Sequence, residues 1–187
     1  MPWKNGGGTT TEIMIWPENA DVGTGFEWRV SMADVATDGQ FSAFPNYRRS
    51  LMVLAGNGLV LTTSGSPDIS IGPGDDAIEF NGATPVSARL IDGPVRDFNV
   101  MCRNRNGPYI YGWLRAETLT RTTGLRLAAD FELFYALRGK FTANGLTVDE
   151  GDTLVVTEGE TMDLSATREA EVIVVTIWND GIVDAET

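Results

Sequence analysis

Apolar and polar residues alternate in short runs along most of the chain. Runs that alternate with a period of two, and that are rich in β-branched and aromatic residues, are typical of half-buried strands. They predict strands at residues 11–16, 27–32, 50–54, 58–62, 98–102 and 172–178. Apolar residues nowhere recur at helical spacing over a helix-length window free of glycine, proline and β-branched residues. The pattern therefore predicts an all-β chain, with at most one short helix near residues 93–97.

Two segments of the chain share a Gly-Asp start and a closing glycine. Residues 74–82 read GDDAIEFNG and residues 151–159 read GDTLVVTEG. An apolar strand and a glycine turn precede each segment, and another β segment follows it. This matched order predicts two small β-barrels or double-sheet jelly rolls in one chain. We place the boundary between Tyr111 and Leu125 and take the halves as residues 1–112 and 113–187, with strands free to swap between them.

The charge balance bears on the partners of the protein. Lysine and arginine total 14 against 26 aspartates and glutamates, a net charge of −12. Such a surface repels phosphate backbones and anionic lipids, so we expect neither nucleic acid nor a membrane as a partner. The sequence shows no membrane-length apolar run and no signal-peptide pattern. We therefore expect a soluble, cytoplasmic protein, in which a small anion would need a local cluster of the scarce cations.

The residues available for catalysis are few. The chain contains no histidine and one cysteine, Cys102, so no internal disulfide forms. The usual zinc, iron, nickel and copper sites rely on imidazole or thiolate, and the common nucleophilic triads need histidine. We therefore expect neither a metal nor another cofactor. Cys102 lies within a predicted strand, and we expect a packed thiol without a catalytic role.

The opening segment, MPWKNGGG, places Lys4 and Asn5 beside three glycines. Successive glycine amides can turn inward as an anion-binding nest, which the ammonium group of Lys4 would reinforce. A frayed, flexible chain start is the alternative. The sequence pattern alone leaves both interpretations open.

Strand alternation also assigns faces to several charged residues. Arg29 and Ser31 share one face of their predicted strand, which is either the barrel interior or the surface. Arg48 and Arg49 are adjacent, so at most one of them can face a pocket. Asp97 and Asn99 share a face that is either a solvated edge or a polar patch inside a barrel.

Three stretches together resemble the HutD/Ves family. They read MPWKNGGGTTTEI, WRVSMADVATDGQFSAFPNYRRSLMVLAGNGLVL and PVSARLIDGPVRDFNVMCR. The resemblance is specific as far as about residue 103 and rests on β character beyond it. It implies a bicupin fold without the metal-binding histidines of many cupins. It also implies a role in bacterial histidine utilisation, where family members are thought to bind a small acid, urocanate or formylglutamate, and to moderate pathway output.

The resemblance also supplies the expected ligand-binding residues. Carried over by position, and with the glycine amide of the opening segment added, they are Trp3, Lys4, Asn5, Gly6, Arg29, Asp34, Phe41, Arg49, Asp97 and Asn99. A carboxylate would bind Lys4, Asn5 and the glycine amides. Arg29 or Arg49 would supply the second charge that a dicarboxylate needs, and Trp3 or Phe41 would cover its apolar part.

Two features depart from the family pattern. Family chains usually begin upstream of the Met-Pro-Trp motif with a further strand, which leaves open a missing first strand or a misassigned start. Asn46 replaces the usual glycine after Phe-Pro, and asparagine also tolerates a left-handed turn.

Two other functions remain as alternatives. One is an isomerase or hydrolase of a small acid that uses Lys4 with Asp34 or Asp97 as an acid–base pair. The other is a structural or protein-interaction bicupin, which predicts a filled barrel without a polar pocket. The sequence fixes neither the ligand nor the oligomeric state, and a homodimer is compatible with it.

Overall fold

The computed structural model describes residues 1–3, 6–104, 110–126 and 129–179. Within these ranges the chain forms strands and no helix, which confirms the predicted all-β class. No helix there could cross a membrane. The prediction of a short helix near residues 93–97 is wrong. Asp92 and Gly93 instead form a turn with φ angles of 49° and 112°, and a strand begins at Val95.

The first compact unit, Met1–Asn106, contains two antiparallel sheets. Its strands in chain order are β1 (Gly8–Trp16), β2 (Trp28–Val35), β3 (Gly39–Gln40), β4 (Tyr47–Ala55), β5 (Leu59–Thr63), β6 (Ile69–Ile71), β7 (Ile78–Asn81), β8 (Val86–Leu90) and β9 (Val95–Arg103). The five-stranded sheet has the order β1-β2-β9-β4-β7, and the four-stranded sheet has the order β3-β8-β5-β6.

The core of the first unit draws on the inward faces of both sheets. Leu51 and Val53 of β4 pack in one cluster with Leu59, Leu61 and Val86 of the four-stranded sheet. All five side chains are almost completely buried, and their burial is the main favourable contribution to the stability of this unit. The same inward face of the five-stranded sheet also carries charged and amide side chains.

The second compact unit, Gly107–Thr187, forms one sheet. Its strands are β10 (Ile110–Arg126), β11 (Phe131–Arg138), β12 (Phe141–Ala143), β13 (Leu146–Val148), β14 (Thr153–Thr157) and β15 (Thr161–Asn179). They have the order β13-β12-β15-β11-β14, and β10 pairs along β15. The sheet surrounds an apolar cluster that includes Phe134, Phe141, Val156 and Leu164. The boundary predicted at residue 112 falls inside β10.

The two Gly-Asp segments occupy matching places in the two units. Gly74 and Gly151 both have a φ angle of 91°. In the first unit, β7 follows Gly74 and pairs with β4, and β4 pairs with β9. In the second unit, β14 follows Gly151 and pairs with β11, and β11 pairs with β15. Arg49 lies seven positions before Gly56, the glycine after β4, and Glu132 lies seven positions before Gly139, the glycine after β11. The predicted repeat therefore has a structural counterpart in strand order and register.

The glycine turn after β4 supplies a test of packing. Gly56 has a φ angle of 96°, and a Cβ atom there would lie 2.4 Å from the carbonyl oxygen of Pro94. Gly65 also has a positive φ angle, but a Cβ atom there would meet nothing within 4 Å. We expect Gly65→Ala to lower the free energy of unfolding by about 1 kcal/mol through backbone strain. Gly56→Ala should lower it by about 1–3 kcal/mol more, because the backbone must shift. Urea unfolding followed by tryptophan fluorescence measures both, and equal losses would contradict the close approach.

Candidate functional site

A cavity of about 610 Å³ lies in the first unit. Its wall consists of the inward face of the five-stranded sheet, the segment that follows β3 and the first residues of the chain. Cavities of this size are typical of small-molecule sites. Six of the ten residues expected from the sequence line it, namely Trp3, Arg29, Phe41, Arg49, Asp97 and Asn99.

The strand register explains why four of these side chains meet. Residue Met101 of β9 lies opposite Arg29 of β2 on one side and opposite Arg49 of β4 on the other. Directly opposed residues of an antiparallel pair project from the same face, and every second residue of a strand does so as well. Asn99 and Asp97 therefore continue along the same face, from the two arginines towards the apolar core.

Arg49 carries a buried guanidinium group, with 6% of the residue exposed. Its Nε and Nη2 atoms donate hydrogen bonds to Oδ1 of Asn99 at 3.3 and 3.1 Å, and Nη1 donates to the carbonyl oxygen of Ser42 at 3.2 Å. Burial is the main reason that its pKa falls to about 10, so the group remains charged at neutral pH. Among the described residues it forms no ion pair with a carboxylate.

Three aromatic rings surround the same guanidinium group. Its Cζ atom lies 5.0, 5.2 and 5.7 Å from the ring centroids of Phe80, Phe41 and Phe44, respectively. Within about 6 Å a cation is attracted to the negative face of an aromatic ring. The rings partly compensate for the hydration that the buried charge has lost. They also hold the side chain in one place.

The charge of Arg29 is balanced within the structure. This residue is 4% exposed, and its Nε atom lies 2.8 Å from Oε2 of Glu12 on β1. Its Nη1 atom also donates to the hydroxyl oxygen of Ser31 at 3.4 Å. Arg29 therefore contributes an ion pair to the cavity wall and no net charge.

Asp97 is the most deeply buried carboxyl group at the cavity, with 1% of the residue exposed. Its strand neighbours are Ala33 and Val53, and its Oδ1 atom accepts a hydrogen bond from Nδ2 of Asn99 at 3.3 Å. Burial raises its pKa to about 6, although the hydrogen bond from Asn99 and the charge of Arg49 partly oppose this. The carboxyl group therefore changes its charge close to neutral pH.

Trp3 and Phe41 provide apolar parts of the cavity wall. The indole N–H of Trp3 donates a hydrogen bond to Oγ1 of Thr10 at 2.7 Å, which fixes the ring at the edge of β1. The ring of Phe41 lies over Arg49 and is stacked on Phe80. Both side chains leave apolar surface for the hydrocarbon part of a guest.

Two of the other expected residues, Asp34 and Gly6, lie apart from this group. Asp34 is exposed and accepts a hydrogen bond from Nε of Arg96 at 2.7 Å, outside the cavity. Gly6 is exposed, and its amide donates to the carbonyl oxygen of Trp3 at 3.0 Å, so this amide serves a turn. Lys4 and Asn5 lie outside the described residues.

Sequence reasoning missed several residues at the site, among them Glu12, Ser42 and Phe80. Alternation within β7 could have indicated Phe80, because residues 78 and 80 share a face. Glu12 could not be placed in the same way, since the pairing of β1 with β2 shifts between residues 12 and 14. Ser42 acts through its carbonyl oxygen, which its residue type does not reveal.

Other reactive groups in the first unit offer little chemistry. Cys102 is buried, and burial raises its pKa to about 12, as expected of a packed thiol. In the described part of the chain no cluster of three aspartate, glutamate or cysteine side chains could hold a metal ion.

Comparison with known proteins identifies the family. The sequence model described as HutD matches residues 1–174. The chain belongs to the HutD family. An uncharacterised 21.2 kDa protein in the hutC 3' region of Pseudomonas putida is 44% identical over 101 residues, which is 54% of this chain and 52% of that protein. The chain thus matches about half the length of that relative. Protein Ves of Cronobacter sakazakii (strain ATCC BAA-894) is 32% identical over 80% of this chain and 78% of its own length.

Solved structures give the fold. HutD from Pseudomonas fluorescens SBW25, in a formate condition, superposes with a TM-score of 0.80 at 29% identity, over 97% of this chain and 94% of that chain. A cupin 2 conserved barrel domain protein from Leptotrichia buccalis superposes with a TM-score of 0.55 at 14% identity, over 91% and 88% of the two chains. The latter likeness concerns the fold alone. The HutD/Ves resemblance and the bicupin-like fold expected from it are therefore confirmed.

Burial of Asp97 has a consequence for stability. The pKa of about 6 in the folded chain lies above the ordinary 3.8, so the folded state binds the proton more tightly than the unfolded state. Rising pH therefore destabilises the folded state between about pH 4 and 6, by roughly 2–3 kcal/mol in total. We expect Asp97→Asn to gain stability relative to the wild type over this window and to keep that gain above it. Urea unfolding of both proteins at pH 4, 5, 6 and 7 measures the difference. A difference that does not vary with pH would contradict the assignment.

Proposed function

We propose that the cavity of the first unit binds a small carboxylate in the cytoplasm. The observation that supports this most strongly is Arg49, a buried cation with no carboxylate partner among the described residues. A guanidinium group has five N–H donors, and three hydrogen bonds use its Nε, Nη1 and Nη2 atoms once each. Two donors are left for a guest, and charge-assisted bonds from arginine to a carboxylate are among the strongest in proteins.

The neighbouring side chains suit the rest of such a ligand. Trp3, Phe41, Phe44 and Met101 offer apolar or aromatic surface at the same cavity. A planar acid such as urocanate would stack on an aromatic wall, and formylglutamate would place its hydrocarbon chain there. Because Glu12 already balances Arg29, we propose that the interior of the cavity holds one carboxylate group rather than two.

Membership of the HutD family supports a role for this proposed site in histidine utilisation. The Pseudomonas putida relative is described by its position in the hutC 3' region. We propose that occupancy of the cavity by a pathway acid moderates the output of that pathway. The HutD structure obtained in a formate condition makes formate a suitable minimal probe.

Two adjacent arginines allow a matched test of carboxylate binding. Arg49 lines the cavity, whereas Arg48 is exposed and pairs with Glu79. Isothermal titration with formate, glutamate, formylglutamate and urocanate should detect binding of at least one acid to the wild-type protein. Arg49→Met should weaken that binding by about 30-fold or more, because a buried charge-assisted interaction is lost. Arg48→Met should change it by less than about threefold.

Two results would count against this function. One is the absence of heat with all four acids for the folded wild-type protein. The other is equal binding by the Arg49→Met and Arg48→Met variants. Circular dichroism and the unfolding midpoint of each variant establish that it is folded.

Asp97 supports a second candidate function. A carboxyl group with a pKa of about 6 is suited to acid–base catalysis near neutral pH, as an isomerase or hydrolase of a small acid requires. Asp34, the other carboxyl group considered, lies at the surface with Arg96. Mass spectrometry of the four acids after incubation with the protein separates the two functions. A new product that forms with the wild type and not with Asp97→Asn would favour the enzyme.

A further inference from the structure

The proposed site contains a cation and a carboxyl group joined through one amide side chain. Oδ1 of Asn99 accepts from Arg49, and Nδ2 of Asn99 donates to Oδ1 of Asp97. Arg49 and Asp97 themselves form no direct ion pair. Asn99 thus separates two charged groups that both face the cavity and that sit on adjacent strands.

Apart from Arg49, the other charged side chains near Asp97 lie on β1 and β2, and each of them has a partner of opposite charge. On β2, Arg29 is neutralised by Glu12 of β1. Asp34, also on β2, acts on Asp97 from the surface, where it pairs with Arg96. The opposing sheet presents apolar residues and one uncharged amide, among them Leu59, Leu61, Val86, Ala88 and Gln40.

The charged side chains in this group are Arg29 with its partner Glu12, and Arg49 and Asp97, and with Asp97 ionised these four sum to zero. The α-amino group of Met1 also lies at the cavity, where it donates to the carbonyl oxygen of Thr10. Protonation of Asp97 makes the total charge more positive by one, so an anion beside Arg49 is favoured more strongly when Asp97 is protonated.

The protonated carboxyl group also offers a chemical advantage. A neutral carboxyl has one O–H donor, whereas an ionised carboxylate only accepts hydrogen bonds. A ligand carboxylate next to ionised Asp97 would bring two like charges together with low solvent exposure. Such pairs hold one proton between them, and the pKa of one partner rises strongly.

We propose that the cavity binds its carboxylate ligand together with a proton from solvent, which Asp97 holds and donates as a hydrogen bond to the ligand. This inference rests on the proposed function and specifies how the site is regulated. The stoichiometry is one carboxylate and one proton, and no covalent bond other than the carboxyl O–H is formed. The site thus takes up a carboxylic acid as a whole, in the form of an anion on Arg49 and a proton on Asp97.

The proposal predicts a definite pH dependence. The pKa of free Asp97 is about 6, so at pH 7 about nine-tenths of the ligand-free protein lacks this proton. Binding at pH 7 should then take up as much as about 0.9 proton per ligand. Affinity should fall by up to about tenfold per pH unit above pH 6 and should level off below it.

Calorimetry in two buffers measures the proton directly. We would titrate formate and formylglutamate into the full chain at pH 7, in MOPS and in Tris, whose ionisation enthalpies differ. The difference between the two observed heats gives the number of protons exchanged, and we expect an uptake of 0.5–0.9 proton. Repeating the titrations at pH 6 and pH 8 gives the dependence of affinity on pH.

Two variants identify the group that takes up the proton. In Asp97→Asn the amide N–H₂ can donate to the ligand as the protonated acid does, so binding should persist, with buffer-independent heats and little change between pH 6 and 8. Asp34→Asn alters a surface carboxyl group outside the cavity and should retain the proton uptake.

The outcomes distinguish this inference from the proposed function. Binding to the wild type without proton uptake would overturn the inference and leave the proposed function standing. Proton uptake that persists in Asp97→Asn would overturn the assignment to Asp97. If neither acid binds the folded wild-type protein, both proposals are wrong.

Discussion

A positively charged side chain inside a β-barrel is stable only where neighbouring groups replace the water that it has lost. For Arg49 that replacement comes from the side-chain oxygen of Asn99, the carbonyl oxygen of Ser42 and the faces of three phenylalanine rings. A carboxylate in direct contact would have neutralised the charge. Its absence among the described residues leaves the guanidinium group without a counter-charge in direct contact, and the proposed chemistry of the cavity follows from that.

The second unit has apolar residues at the positions where the first unit has Asp97 and Asn99. By strand pairing, Val172 and Val174 of the second unit correspond to Asp97 and Asn99 of the first. The valines are completely buried in an apolar cluster, whereas the polar pair lines a cavity. Burial of apolar surface stabilises a barrel, and buried polar groups do so only when they are satisfied. One copy of the repeat thus has an ordinary core, while the other has polar groups at matching positions.

Much of the fold could be predicted from the sequence because strand signals are local. The alternation of β-branched and polar residues indicated β2, β4, β5 and β9 within a few residues of their observed limits. The full lengths of β10 and β15 were harder to predict, since charged residues interrupt both strands and the register of their pairing shifts. The helix expected near residues 93–97 failed for a related reason. A Gly-Pro pair there marks a turn into a strand, and only the pairing of β9 with its neighbours shows this.

The candidate site was predictable to a smaller extent. Alternation correctly allowed only one of Arg48 and Arg49 to face a pocket. It could not show which face of β2 lines the cavity, because Trp28 and Arg29 lie on opposite faces and both are buried. Asp34 was included by family resemblance, although alternation places it on the face opposite Arg29.

The aromatic rings around Arg49 have a further consequence, which concerns the affinity that a very small ligand could reach under the proposed function. They fix the guanidinium group before any guest arrives, so a small acid need not meet the entropic cost of ordering it. Even so, each non-hydrogen atom of a very small ligand contributes at most about 1.5 kcal/mol, which limits a three-atom acid to about 4.5 kcal/mol. That limit corresponds to a dissociation constant near 0.5 mM. Under the proposed function, an acid as small as formate would therefore fill the site only at concentrations approaching the millimolar range, whereas a larger acid is not held to this limit.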